Sequence, residues 1–359
     1  MTPILAEMHW IFETCSTLPV PLSTVSRLDI ETMTFSAEFI GVLRRNFCNV
    51  KEMRLGQCSF VTTSCFFELL TLPRLTNVVL ADAYIKPSTV RMMLPYGNSS
   101  VPLAHEPVVP EINQDASRRA NIRSLRFTSR VAYDVFAPQM LRWLTKEGTC
   151  RDLTVLDIPT LQENDITVLE ETLRAVGSQL RELAVGFAME VVMKWDGQRA
   201  LLDLKHCTSL NVFTIRCLKF RISPIDVAEH VPSAYVTAVF STLASPFLHT
   251  LNLRFRSAHI RIREDEHVID WVTLCNTVLN LPTLRTNVRA PAQVMRLTNS
   301  KAHPLFRLNL EFYTRTSLMQ DAYPAIRRGV AALTSDGRVG VQCMFQDPFR
   351  CTGPIWLTV

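Results

Sequence analysis

The chain predicts an α/β solenoid, with a curved parallel sheet on its concave face and helices on its convex face, and three observations lead there. The apolar pattern of VSRLDIETMTF at Val25 returns as VKEMRLGQCSF at Val50 and as LTNVVLADAYI at Leu75. Leu28, Met53 and Val78 follow one another at 25 residues, inside the 20 to 29 residues of a leucine-rich repeat. Each of the first two frames is followed by a stretch of helical periodicity, Ala37 to Phe47 and Ser64 to Leu72, opening near a Ser or Thr able to cap it. A unit of this length cannot bury its apolar face alone and must stack on its neighbours.

The frame has physical content because strand residues alternate faces. In the second copy Met53 and Leu55 point inward while Glu52, Arg54 and Gly56 point outward. Cys58 falls where the pattern takes Asn or Cys, and is expected to be a small buried residue at the bend after the strand. Before the first frame, Ile4, Leu5, Met8, Ile11, Phe12 and Cys15 trace a helical stripe, so residues 1–24 are expected to form a helix that caps the array. Residues 25–359 are then one leucine-rich-repeat domain with a loop insertion at 86–121, where Pro95, Gly97, Pro102, Pro107 and Pro110 crowd the chain. A decayed repeat around Val101 to Ile112 would also account for that spacing.

Later frames are looser. They run through Ile122, Leu125 and Phe127; Leu153 to Leu161; Leu180 to Ala188; Leu210 to Phe220; Leu248 to Leu253; and Leu305 to Leu310. A degenerate frame is expected at Leu281 to Val288, and Arg338 to Phe345 is expected to be a last strand pairing on one side only. Glu163 to Val176, Pro232 to Leu243, Glu266 to Leu279 and Ser317 to Leu333 have the spacing of amphipathic helices.

Composition narrows the function classes. A hydrophobic fraction of 47% with 20% charged residues is that of a folded chain, and no apolar run reaches the length of about 18 residues that a membrane helix needs. Ten cysteines without CxxC pairs, and a start without a basic segment leading into an apolar run, predict reduced thiols and a cytoplasmic or nuclear location. A formal net charge of +5 permits nucleic acid without indicating it. No GxSxG, GxGxxG, P-loop or HExxH motif occurs, and His105-Glu106 has Val109 where a zinc site needs a second His. No catalytic residue, cofactor or metal is expected, and the chain is not expected to be an enzyme.

The candidate binding residues are the outward strand positions. Arg27, Asp29, Glu52, Arg54, Arg126 and Asp157 present mixed polarity on the earlier strands, which suits a protein partner. Arg216, Arg254, Arg256 and Arg307 concentrate positive charge on the later ones, where an acidic peptide, a phosphate-bearing partner or nucleic acid would be favoured. Glu264, Asp265 and Glu311 lie close enough in sequence to offset that charge.

The frames, with LLDLKHCTSLNVFTIRCLKF at Leu201, SPFLHTLNLRF at Ser245 and HPLFRLNLEFYT at His303, resemble those of fungal, mushroom-type F-box and leucine-rich-repeat proteins. The resemblance implies a repeat region that holds a protein to be modified, and an F-box that docks the adaptor Skp1 of a cullin ubiquitin ligase. MTPILAEMHWIFETC does not carry the Leu-Pro-x-Glu start of an F-box, so the resemblance rests on the repeats. Skp1 is expected only where an F-box lies upstream. The expected function is a monomeric, non-catalytic protein-interaction scaffold, possible substrate receptor of such a ligase, with nucleic-acid or phosphate binding through the arginine stripe as the alternative.

Overall fold

The computed structural model describes residues 22, 24–81, 83–85, 121–128, 140–144, 152–188, 191–192, 194–219, 232–256, 271–286, 306–313, 323–324, 326–335, 337–346 and 355–358. The capping helix expected within 1–24, and most of the 86–121 insertion, lie outside them. The chain divides into two compact units, Met1–Leu153 and Thr154–Val359. Both are α/β, built on parallel strands.

The first unit runs β1 (Arg27–Glu31), β2 (Thr34–Phe35), α1 (Ala37–Asn46), β3 (Glu52–Gly56), β4 (Ser59–Phe60), α2 (Thr63–Leu70), β5 (Asn77–Ala81), β6 (Tyr84–Ile85) and β7 (Ser124–Phe127). β1, β3, β5 and β7 pair in parallel with unbroken register, so Leu28, Met53, Val78 and Leu125 form one row and Ile30, Leu55, Leu80 and Phe127 the next. From Met53 onward these rows are buried, each large side chain contributing roughly 1.5–3 kcal/mol of transfer free energy. β5 and β7 are direct neighbours although Ala81 and Ser124 are 43 positions apart.

The 25-residue period extends to conformation. Thr32 and Gln57, one period apart, both have positive φ, 58° and 51°. Each turns the chain out of its strand while its N–H extends the ladder, to the Gly56 and Ala81 carbonyls at 2.9 and 2.8 Å. Cys58 is buried at this bend, its Sγ donating to the carbonyls of Gly56 and Ile30. Burial pushes its thiol up, which leaves it unreactive. After the bend β2, β4 and β6 form a second, three-stranded parallel sheet, in which Phe35 stacks on Phe60 at 4.8 Å and Phe60 meets Phe66 of α2 edge-on.

The helices begin where hydroxyl caps place them. Ser36 accepts from the Phe39 N–H at 3.2 Å and Thr62 from that of Cys65 at 3.3 Å. Arg44 of α1 reaches the end of α2, donating to the Glu68 carbonyl and the Thr71 hydroxyl.

The second unit comprises β8 (Val155–Leu161), α3 (Glu163–Val176), β9 (Glu182–Phe187), β10 (Val212–Lys219), α4 (Pro232–Ser241), β11 (Thr250–Arg256), α5 (Trp271–Leu279), α6 (Pro282–Thr286), β12 (Phe306–Tyr313), α7 (Ala331–Ser335), β13 (Val339–Gln346) and β14 (Ile355–Thr358). β8 to β13 pair in sequence order, all parallel. Leu156, Leu183, Phe213, Leu251, Leu308 and Val341 share one buried row. Further along, Phe255, Phe312 and Phe345 stack at 4.8 and 5.2 Å. α3 opens with the Asp165 carboxylate accepting from the Gln162 N–H at 2.9 Å.

Two expectations are corrected here. Residues 282–286 form α6 rather than a strand of a degenerate frame, because Pro282 lacks the N–H a ladder needs and suits a first helical position. Arg338 fixes this helix by donating to the Leu284 carbonyl at 2.9 Å. β13 pairs on both sides, in parallel with β12 and antiparallel with β14, which the repeat frame does not mark.

A glycine at position 57 removes the steric cost of its positive φ. Gln57→Gly is expected to raise stability by about 1 kcal/mol and Gln57→Val to lower it by at least as much, both read from urea unfolding midpoints.

Candidate functional site

The outward face of each sheet carries the polar residues. In the first unit Arg27, Glu52, Asn77 and Ser124 form one row, and Asp29, Arg54, Val79 and Arg126 the next. Opposite charges thus alternate along and across strands. Arg27 grips Asp29 within its own strand at 3.0 Å with both side chains exposed, and Asn77 donates to Glu52 at 3.4 Å. The hydrogen bond from Arg27, aided by the charges of Arg27 and Arg54, holds the Asp29 carboxyl below its usual value. Four of the expected residues, Arg27, Asp29, Glu52 and Arg54, therefore form one exposed charge mosaic, and Arg126 lies half-buried beyond Val79.

In the second unit the outward rows are of a different kind. Thr214, Asn252 and Asn309 are register partners on β10, β11 and β12. Asn309 Nδ2 donates to Asn252 Oδ1 at 2.8 Å, and Asn252 Nδ2 to Thr214 Oγ1 at 2.9 Å. A carboxamide ladder thus runs across three strands, with Gln342 of β13 in register beyond Asn309.

Two residues further along the strands lies an ionic row. Arg254 and Glu311 are register partners, with Arg254 Nε 2.5 Å from Glu311 Oε2. The Tyr313 hydroxyl donates to the same carboxylate oxygen at 3.5 Å. Burial pushes the Tyr313 phenol up against the opposing pull of the Arg254 and Arg216 charges. Both guanidinium groups therefore lie within charge range of one phenol.

Arg216 reaches further. Its Nη2 pairs with Asp157 Oδ2 although the two stand on β10 and β8, with β9 between them, a span of about 10 Å between strand axes. The crossing is open because β9 presents Ala184 and Gly186 in those rows. A Cβ at Gly186 would collide with the Pro159 carbonyl, so this position admits only glycine without a backbone shift. The register irregularities of β8, between Ile158 and Leu161, and of β10, between Ile215 and Leu218, flank the same point.

Arg216, Arg254 and Arg307 do take outward positions on successive strands, but not in one row. Arg307 is exposed beside Thr250 and Gly340, four residues from the Glu311 row. Arg256 is the register partner of Tyr313, and its side chain lies outside the described set. Asp157 is outward-facing yet only 3% exposed, lying beneath Arg216. Asn252, Asn309 and Tyr313 carry no formal charge and were not among the expected residues. The recurrence of LNLRF at Leu251 as LNLEF at Leu308 is the signal that contains the ladder and the Arg254–Glu311 pair.

Among the described residues no group of three or more His, Cys, Asp or Glu is placed to hold a metal ion, and no helix is long and apolar enough to cross a membrane. Burial pushes the thiols of Cys207 and Cys343 up to about 12. No model of a known protein family matches the chain, and no curated protein matches it.

The crossing pair yields a test. Asp157→Ala removes the carboxylate that pairs with a largely buried guanidinium and is expected to cost about 3–5 kcal/mol. The double variant Asp157→Ala/Arg216→Met removes both charges and is expected to cost less than the single one, a sign measurable by urea denaturation of the four proteins of a double-mutant cycle.

Proposed function

We propose that the protein is a non-catalytic interaction scaffold, a leucine-rich-repeat solenoid whose outward strand face holds a protein partner. The observation that carries this reading is the register of the long strands in each unit. Ordered rows of polar and charged side chains stand directly over buried apolar rows, so the face is rigid and its chemistry is fixed by strand position. Mixed charge on the first unit, with carboxamides and shielded ion pairs on the second, suits a protein surface of mixed polarity.

The finer version is a substrate receptor of F-box type, which the repeat resemblance supports. It predicts that the full-length gene product co-purifies with Skp1, and absence of Skp1 would confine the likeness to the repeats.

The scaffold reading is tested by affinity capture from a cell extract with wild type and with strand-face variants Arg54→Glu/Arg126→Glu and Arg307→Glu. Arg54 and Arg307 are exposed and Arg126 is half-buried, so circular dichroism is used to check that each variant keeps its fold. Recovery of a wild-type partner is expected to fall in at least one variant; identical partner sets from all three proteins would contradict the reading.

A further inference from the structure

The two arginine ion pairs on the strand face of the second unit are tilted in the same sense. The side chain of Arg216 is 19% exposed over an Asp157 that is 4% exposed, and that of Arg254 is 32% exposed over a Glu311 that is 8% exposed. Each pair is neutral, yet an approaching molecule meets the guanidinium and not the carboxylate. The face therefore offers hydrogen-bond donors without a free net charge.

Arg254 is the more accessible of the two. Its Nε is buried against Glu311, so its exposure lies on the rest of the side chain. Nη1 and Nη2, the fork that takes a carboxylate through two parallel bonds, have no partner among the described residues. Glu311 acts as a positioning residue that fixes the direction of that fork. The Tyr313 hydroxyl donates to the same Glu311 oxygen at 3.5 Å. Two residues back along the strands, Asn309 Oδ1 is a buried acceptor without a partner, at the open end of the carboxamide ladder. A buried acceptor in that state is costly to the fold and lies below the surface that a bound chain touches, so the contact falls to the exposed guanidinium.

We propose that Arg254 receives a carboxylate of an acidic, extended segment of a partner protein lying across β10, β11 and β12. This rests on the strand face being an interaction surface, and it names the point and the chemistry of contact. A protein segment fits better than nucleic acid, because phosphate backbones are held by series of unpaired cations, whereas Arg216 and Arg254 are each already paired. Arg307, the exposed arginine of β12, lies four residues away in another row.

The experiment uses the full chain and a short fluorescent peptide of alternating Glu and Gly, with the Gln–Gly peptide and a single-stranded oligonucleotide of equal charge as comparisons. Anisotropy is expected to show binding of the Glu peptide, weakened by about tenfold or more in Arg254→Gln/Glu311→Gln, as loss of a charge-assisted double bond requires. That variant leaves no buried carboxylate uncompensated, and circular dichroism checks its fold. Arg307→Gln is expected to change affinity by less than about threefold. If the double variant does not fold, Arg254→Lys keeps the charge and loses the fork, with a loss of about fivefold or more expected.

No binding of the Glu peptide, equal binding of the Gln peptide or the oligonucleotide, or unchanged affinity in the folded Arg254 variant would overturn the proposal. A captured partner that is lost in the strand-face variants but kept by Arg254→Gln/Glu311→Gln would also overturn it, while leaving the scaffold reading intact.

Discussion

Parallel, in-register pairing is the constraint on which everything else in this protein depends. Side chains alternate with period two, so a slip of one residue would turn Leu251, Leu253, Leu308 and Leu310 outward and bury Asn252, Arg254, Asn309 and Glu311. The apolar rows forbid that slip, and by doing so they hold the polar rows in place. Register in the second unit shifts only beyond Ile158 on β8 and Ile215 on β10. There the Pro159 carbonyl closes on Gly186 and the Arg216 side chain crosses its strand.

Charge on the strand faces of the two units is managed differently, for a physical reason. Arg27 and Asp29 are both exposed, so water screens their attraction and the pair adds little to stability. Asp157 and Glu311 are buried, and a buried carboxylate without a cation would be several kcal/mol unfavourable, on the order of the desolvation penalty. Their arginines are therefore obligatory for the fold before they are available to a partner. In the proposed reading, fold and recognition share the same guanidinium groups, whose exposed ends give the face its hydrogen-bond donors.

Much of the architecture is legible in the residues, because a strand of a repeat announces itself through alternating apolar positions. Strands at all the strong frames, from Arg27–Glu31 to Phe306–Tyr313, follow from that signal, and Glu163–Val176 follows from helical periodicity and its acidic first turn. β14 does not, since Ile355-Trp356-Leu357-Thr358 closes the sheet antiparallel and outside the repeat. Residues 281–288 carry leucines at frame-like spacing, but Pro282 decides for helix. Outward position was legible for Asp157, Arg216, Arg254 and Arg307; depth was not. That Arg216 lies over Asp157 depends on the missing side chain at Gly186 and on strands 59 residues apart in sequence. No local pattern encodes that coincidence.

The central claim, that the strand face rather than the helical face meets the partner, is tested most directly by site-specific photocrosslinking. A photoreactive amino acid is placed at Arg307 on β12 or at Val272, 71% exposed on α5, and the chain is irradiated in cell extract. The account predicts a discrete protein adduct from position 307 and none of that mass from position 272. An adduct from 272 alone, or the same adduct from both, would contradict it.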